Sequence, residues 1–111
     1  MTPSKQYMPA TYHALDAYLG NKHARTIAHN TTAERDDDGH AIVVRLHGNE
    51  IARLWSRSVR VRDAGWRTVT TKDRLNRILE PYGASIAQRD WTWSLCRDGR
   101  TEPWSGGATV E

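Results

Sequence analysis

The sequence has 111 residues and a formal net charge of +3, which suits one domain with a single modest core and excludes a two-domain protein. Hydrophobic residues make up 38% and charged residues 26% of the chain, a balance that excludes a disordered protein. The single cysteine excludes an internal disulfide, and no apolar run approaches the roughly 18 residues of a membrane span. We therefore expect a soluble protein of a reducing compartment.

The chain begins with a stretch that lacks hydrophobic periodicity, and we expect residues 1–10 to form a flexible tail. Helical spacing begins next and ends at Gly20, a residue that commonly stops helices in the left-handed conformation. The pattern predicts a short helix over about residues 11–19. Its apolar positions recur at intervals of three and four residues: Ala14, Leu15, Tyr18 and Leu19.

Strand patterns follow the helix. Residues 26–34 are rich in β-branched and small residues and lead into Asp38-Gly39, a strong hairpin signal, so a strand and a turn are predicted. Residues 41–47 alternate, and a two-residue turn at Gly48-Asn49 would pair them with the next strand. In this register Arg53 is a misfit on an otherwise apolar face. The apolar residues of that face are Ile42, Val44, Leu46, Ile51 and Trp55.

A further strand is predicted over residues 58–62. A three-residue loop at Ser56-Arg57-Ser58 would place Val59 and Val61 on the same apolar face and direct Arg60 and Arg62 to the opposite one.

A second helix is predicted from the capping-box pattern Thr70-Thr71-Lys72-Asp73. Leu75, Ile78 and Leu79 form its apolar stripe, and residues 81–83 end it. Residues 85–89 and 92–96 then predict one more hairpin. The residues expected on one face of that hairpin are Trp91, Trp93 and Leu95.

Together these elements predict an α+β fold over residues 11–97. We expect a mainly antiparallel sheet of about five or six strands, with one amphipathic helix packed on it and a short N-terminal helix. Residues 98–111 carry glycines and a proline but little apolar patterning, so a weakly ordered C-terminal segment is predicted.

Several segments of the chain resemble a family of small proteins encoded by tailed bacteriophages. The similarity spans roughly residues 15–95, and its most specific part is Gly-Trp-Arg-Thr-x-Thr-Thr-Lys-Asp-Arg at residues 65–74. This chain has Ser56-Arg57-Ser58 where its relatives carry an Asp-Gly turn. The resemblance implies a phage origin and expression inside a bacterial host, and it implies no settled activity. The other similar segments are residues 18–21, 27–31 and 44–47.

The start of the second helix is one candidate binding site, because free amides and the helix dipole favour an anion there. In the predicted helix Lys72 and Arg74 lie in the first turn and oppose the dipole by about a few tenths of a kcal/mol each. A bound phosphate would offset this cost, with Arg67 and the Thr71 hydroxyl as further contacts. Alternatively Asp73 offsets it alone, by capping and by pairing with Arg77.

The polar face of the sheet is a second candidate, since Arg45, Arg60 and Arg62 are expected to lie across neighbouring strands. Arginines interleaved with indoles can follow a phosphate backbone while the rings stack on bases, and Trp66 is among the available indoles. The alternative is that most of the five tryptophans belong to the core, in a chain that has no phenylalanine.

Catalytic patterns are weaker. His29 and His47 on adjacent strands, together with Arg67, could form a small ribonuclease by acid and base transfer, or could be ordinary surface imidazoles. Residues 36–39 form a turn signal without the ligand spacing of a calcium loop, and no nucleotide-binding or nucleophile motif is present. We expect no cofactor and no metal.

These observations favour a small accessory protein that acts without catalysis in the host bacterial cytoplasm by binding a host protein. The alternative partner is a nucleic acid, contacted through phosphates at residues 70–74. No membrane association is expected, and the oligomeric state is left open.

Overall fold

The computed structural model describes residues 7–111, which form two α-helices and nine β-strands. A short 3-10 helix, Glu80–Tyr82, continues directly from the second α-helix. In chain order the elements are α1 Tyr12–Leu19, β1 Ala24–Ala28, β2 Thr31–Arg35, β3 Ile42–Leu46, β4 Asn49–Leu54, β5 Val59–Arg62, α2 Val69–Leu79, β6 Ala84–Arg89, β7 Thr92–Arg97, β8 Arg100–Pro103 and β9 Gly107–Val110.

The strands form two antiparallel sheets. The larger sheet has the order β1-β2-β3-β4-β5-β9, and the smaller one has the order β6-β7-β8. Helix α2 contacts β4 of the large sheet and β6 of the small sheet, while α1 contacts β2 and β3. The predicted α+β fold with a short N-terminal helix is therefore confirmed, and the small sheet is an addition to it.

Helix α1 agrees with its prediction, since the Thr11 hydroxyl caps it by accepting from the Ala14 amide at 3.0 Å and Gly20 ends it with a positive φ of 59°. The strand predicted over residues 26–34 is instead the β1–β2 hairpin. Its turn holds Asn30 at φ 54°, a left-handed conformation that asparagine tolerates better than most residues. Because β-branched residues lie on both sides of the turn, the sequence pattern predicted one continuous strand.

The β3–β4 hairpin turns one residue earlier than predicted. His47 and Gly48 occupy the turn with φ of 51° and 82°, the geometry in which glycine favours the second position, and Leu46 pairs with Asn49. A bulge follows at Ile51, and both Ile51 and Ala52 are buried in the core. The predicted pairing of Leu46 with Ile51 is therefore wrong.

The bulge also resolves the misfit of Arg53. Leu54, not Trp55, faces the core beyond the bulge, and Arg53 turns to the opposite face, where it pairs with Asp36 and Glu50. Pairing of Leu54 with Val59 leaves a loop of four residues, 55–58, rather than three. The strand β5 still directs Val59 and its neighbour Val61 into the core, as predicted, because the bulge and the longer loop compensate.

Helix α2 begins two residues before its predicted start. Thr68 is the N-cap, and its hydroxyl accepts a hydrogen bond from the Thr71 amide at 3.1 Å. The predicted capping box at Thr70 is therefore wrong, and Asp73 lies in the second turn, where it pairs with Arg74 and Arg77.

The end of the chain differs from the prediction of a weakly ordered segment. Residues 98–111 supply β8 and β9, which pair with β7 and β5, and they bury Trp104 and Val110. These strands are short and gain their support from pairing, so their own apolar pattern is weak. The predicted flexible tail lies mostly outside the described residues, but Met8 is part of the core.

Asn76 of α2 covers the free edge of β6. Its Oδ1 accepts from the Ile86 amide at 2.6 Å, and its Nδ2 donates to the Ile86 carbonyl at 3.1 Å, as a neighbouring strand would do. We expect Asn76→Ala to lower the free energy of unfolding by about 2 kcal/mol, because both backbone groups lose their partner. Urea unfolding measures this. Asn76→Asp keeps only the acceptor, so its free energy of unfolding should lie between those of the wild type and Asn76→Ala. Equal stability of all three proteins would contradict the assignment.

Candidate functional site

One end of the molecule collects the start of α2 and two hairpin turns. Helix α2 runs antiparallel to β6, because Asn76 contacts Ile86 while Lys72, one turn earlier, donates to the Gln88 side chain at 3.2 Å. The start of α2 therefore lies at the same end as the β6–β7 turn. The β3–β4 turn is at this end too, since it lines a cavity together with the first turn of α2.

This cavity has a volume of about 540 Å³. It lies between the β3–β4 hairpin, the loop that follows β5 and the first residues of α2. The residues around it are Leu46, His47, Asn49, Ile51, Asp63, Ala64, Trp66, Thr68, Thr70 and Thr71.

Asp63 organises the loop that leads into α2. Its Oδ1 accepts from the Gly65 amide at 2.8 Å, and its Oδ2 accepts from Arg67 Nε at 3.0 Å and from Trp104 Nε1 at 2.7 Å. Burial by itself would raise the pKa of Asp63, but the hydrogen bonds from Trp104, Gly65 and Arg67 outweigh it and hold the pKa below its usual range. The carboxylate is therefore charged and fully engaged at neutral pH.

This carboxylate should make stability depend on pH. Because the folded-state pKa lies below the unfolded value of about 3.9, its contribution is fully present above pH 4 and is lost as the pH falls through the folded pKa. We expect Asp63→Asn to lose less free energy of unfolding than the wild type between neutral pH and about pH 3, measured by urea unfolding. Parallel curves for the two proteins would contradict the assignment.

The loop held by Asp63 directs Trp66 into solvent. Ala64 and Gly65 have φ of 55° and 84°, and the Trp66 amide donates to the Asp63 carbonyl at 2.8 Å, which closes a tight turn. Trp66 is 61% exposed, and Val69, the first residue of α2, is 76% exposed. The Gly-Trp-Arg-Thr segment thus fixes the helix start and presents an indole at the surface.

Trp91 occupies an unusual place in the β6–β7 turn. Arg89 pairs with Thr92, so Asp90 and Trp91 form a two-residue turn with φ of 50° and 69°. Trp91 is 91% exposed, whereas Trp93 is buried on the predicted inward face. The prediction that Trp91 shares that face is therefore wrong.

The other turns of this type show what Trp91 replaces. Three further pairs of consecutive left-handed residues occur in residues 7–111, and each has glycine second: His47-Gly48, Ala64-Gly65 and Asp98-Gly99. A bulky side chain in this conformation costs about 1–2 kcal/mol, and an indole that is 91% exposed recovers little of it by packing.

Three large apolar residues are exposed at this end of the molecule: Trp66, Val69 and Trp91. We call these three residues the apolar patch.

We expect Trp91→Gly to raise the free energy of unfolding by about 1 kcal/mol, because glycine adopts the left-handed conformation without strain. Thermal unfolding should show a Tm increase of about 4 °C. A lower Tm would mean that the indole stabilises the protein by packing, and would contradict the view that Trp91 serves an external contact.

The cations predicted at the helix start are mostly engaged within the protein. Arg67 pairs with Asp63 and Arg74 with Asp73, and the Arg74 guanidinium also donates to the Thr31 hydroxyl at 2.9 Å. Thr71 is buried, and its hydroxyl is hydrogen-bonded with that of Thr68 at 3.0 Å. The phosphate contact predicted for Thr71 is therefore not supported, and Arg74 lies beyond the first turn of α2.

Lys72 also lies beyond the first turn, and the dipole argument for a bound phosphate does not apply to it. It forms no ion pair with a carboxylate in the described part of the chain, where its partner is the Gln88 amide.

The arginines predicted on the polar face of the sheet do lie there, since Arg45 pairs in register with Thr32 and Arg60 with Arg53. Arg45 contacts Glu34 at 3.1 Å and Arg60 contacts Glu50 at 3.2 Å, so both are neutralised by carboxylates. Arg62 is exposed and has no ion pair within residues 7–111.

His29 and His47 are exposed at two neighbouring turns, where the His47 amide donates to the Asn30 carbonyl at 2.8 Å. No hydrogen bond joins the two imidazoles in the described region, so their arrangement gives the ribonuclease hypothesis no support. No described helix has the length and apolar character needed to cross a membrane.

Sequence reasoning missed Asp63, Val69 and the cavity. Asp63-Ala64-Gly65 is a turn signal that could have marked the loop, because aspartate often accepts from the amide two residues on. The partner Trp104 is 41 residues away in sequence and carries no local signal.

No curated protein and no solved structure matches the chain. The family model described as Kyanoviridae Gp96 protein matches residues 8–111, which is nearly the whole chain and includes the loop, the cavity and the apolar patch. The predicted membership of a phage protein family is thereby confirmed, while the role of residues 65–74 as its signature stays a prediction. The chain belongs to the Kyanoviridae Gp96 family of phage proteins.

Proposed function

We propose that this phage protein acts without catalysis, by binding a host protein in the host cytoplasm through the apolar patch. The observation that carries the proposal is Trp91, which is 91% exposed in a left-handed turn position that glycine would occupy at lower cost. Trp66 and Val69 extend the exposed apolar surface at the same end of the molecule. Tryptophan is among the residues that most often dominate the energy of protein interfaces.

The charged groups favour a protein over a nucleic acid as the partner. Arg45, Arg60, Arg67 and Arg74 each contact a carboxylate, so a phosphate that bound them would compete with ion pairs the protein already forms. A nucleic-acid interface normally depends on cations that are available to phosphates.

One observation favours single-stranded nucleic acid as a second candidate. Lys72 and Arg89 have no carboxylate partner among residues 7–111, and they belong to the same end of the molecule as the exposed indoles of Trp66 and Trp91. Cations beside stacked aromatic rings are the pattern of sequence-tolerant single-strand binding. Such binding would fall steeply with salt.

Affinity capture from nuclease-treated host lysate at moderate salt tests the proposal. The wild type should retain a specific host protein, and the double variant Trp66→Ser, Trp91→Gly should lose it. Asp98→Asn is the matched control, because it alters the same kind of tight turn at the other end of β7 and should leave capture unchanged.

Equal retention of the same protein by the double variant would reject the apolar patch as the contact surface. Binding of oligo-dT or RNA that survives in competition with lysate protein would favour the second candidate.

A further inference from the structure

We propose that the cavity beside Trp66 receives an apolar side chain of the bound protein, and that the segment carrying this side chain is acidic. This inference rests on the proposed function and names the chemistry of the partner.

The floor and walls of the cavity are largely apolar. Leu46 and Ile51 come from the β3–β4 hairpin, where the bulge places Ile51, and Ala64 and Trp66 come from the loop before α2. The volume of about 540 Å³ falls within the range of roughly 300–1,000 Å³ that ligand pockets occupy. A large side chain and part of its backbone fit in this space.

The buried polar side chains around the cavity, Asp63 and Thr71, already have hydrogen-bond partners. Both oxygens of Asp63 accept hydrogen bonds, and the hydroxyls of Thr68 and Thr71 bond to each other. No buried side-chain nitrogen or oxygen of the described residues lacks a partner. An apolar occupant therefore leaves no buried polar group unpaired, whereas a charged one would find no free group of opposite charge at the floor.

The cavity is built from parts that are held in place without a ligand. The β3–β4 hairpin is fixed by the large sheet, and the loop is fixed by Asp63, which joins it to Trp104 across 41 residues of sequence. A preformed cavity loses less ordering entropy when a partner binds than a flexible one does.

The surroundings of the cavity favour an acidic partner. Lys72 follows the first turn of α2, and Arg89 precedes the turn that carries Trp91, so both belong to the end of the molecule that holds the cavity. Neither cation has a carboxylate partner within the described residues, and together they outnumber Asp90, the exposed carboxylate of that turn. Acidic residues beside the inserted side chain would complement this charge.

Three pools of short immobilised peptides test the inference directly. Each pool has a central Leu, Met, Phe or Trp, flanked by Asp and Glu in the first, by Ser and Gln in the second, and by Lys and Arg in the third. We expect the acidic pool to retain the protein at least about tenfold better than the neutral pool, with the difference shrinking as salt is added.

Two variants that fill the cavity connect this binding to the proposed site. Thr70 and Asn49 are exposed residues at its rim, and Thr70→Trp and Asn49→Trp should each reduce retention by the acidic pool about tenfold or more. Glu80→Trp is the control, because it adds an indole at the far end of α2 and should change nothing. Circular dichroism verifies that all variants remain folded.

Two outcomes would overturn the inference. Undiminished retention of both cavity-filled variants would show that no side chain enters the cavity. Equal retention by the three pools would show that acidic residues in the partner do not contribute to binding. If capture of a host protein still depends on Trp91 while Thr70→Trp captures it equally well, the proposed function stands and this inference fails. Displacement of the peptides by oligo-dT would identify the surface as a nucleic-acid site instead.

Discussion

Exchange of Trp91 for glycine is expected to weaken the complex with the captured host protein by at least about 30-fold, although the folded protein becomes more stable. Truncation of a tryptophan at the centre of an interface typically costs 2 kcal/mol or more, which corresponds to about 30-fold in Kd. Because Trp91 is 91% exposed, the loss cannot arise from unfolding of the β6–β7 hairpin. A variant that gains stability while it loses affinity is the signature of a residue kept for binding.

Titration calorimetry with the purified partner measures this effect. Trp66→Ser should weaken the same complex, and Asp98→Asn should leave Kd unchanged, since Asp98 lies in the turn at the opposite end of β7. Equal Kd values for the wild type and Trp91→Gly would remove the indole from the interface and leave its strained position without a functional reason.

Asp63→Ala is expected to lower the free energy of unfolding by about 3 kcal/mol. Asp63 is 5% exposed and accepts three hydrogen bonds, so its removal leaves the Trp104 indole nitrogen and the Gly65 amide without their acceptor. Loss of a charged hydrogen-bond partner from a buried network commonly costs this much. The start of α2 should also loosen, because the loop that leads to its cap at Thr68 is no longer anchored.

Urea unfolding gives the change in free energy, and hydrogen exchange of the Gly65 and Trp66 amides reports the loop. The comparison variant is Arg67→Ala, which removes the half-exposed partner of the same carboxylate and should cost well under half as much. Equal losses in the two variants would mean that the ion pair, not the buried contact with Trp104, holds the loop.

Alternation and turn residues predicted much of the fold. They gave helix α1, the inward positions of β3 and β5, and the stripe of Leu75, Ile78 and Leu79. The bulge at Ile51 escaped because one inserted residue leaves the pattern of apolar residues almost unchanged. Arg53 was the signal for it, since an arginine on an apolar face indicates that the register changes nearby.

The start of α2 could not be fixed from sequence, because Thr68 and Thr70 both offer a hydroxyl at a suitable distance from a following amide. The choice depends on the loop held by Asp63, and that contact involves the distant Trp104. Exposure of Trp66 depends on the same loop. Exposure of Trp91 was predictable, since the strands predicted over residues 85–89 and 92–96 leave Asp90 and Trp91 as the turn between them.

The ion pairs of the sheet could likewise not be predicted from the sequence pattern. Arg45 and Arg60 lie on the predicted polar face, but their carboxylate partners come from other strands, so their availability to phosphates could not be judged without the sheet register.

Hydrogen exchange of the protein in complex with its captured host partner tests the central claim most directly. Amide protection should appear in residues 47–49, 66–72 and 89–92, which surround the apolar patch and the cavity. The turn at residues 98–99 and the polar face of the large sheet should exchange as in the free protein. Protection confined to the strands that carry Arg45, Arg60 and Arg62, with residues 66–72 and 89–92 unchanged, would contradict the account.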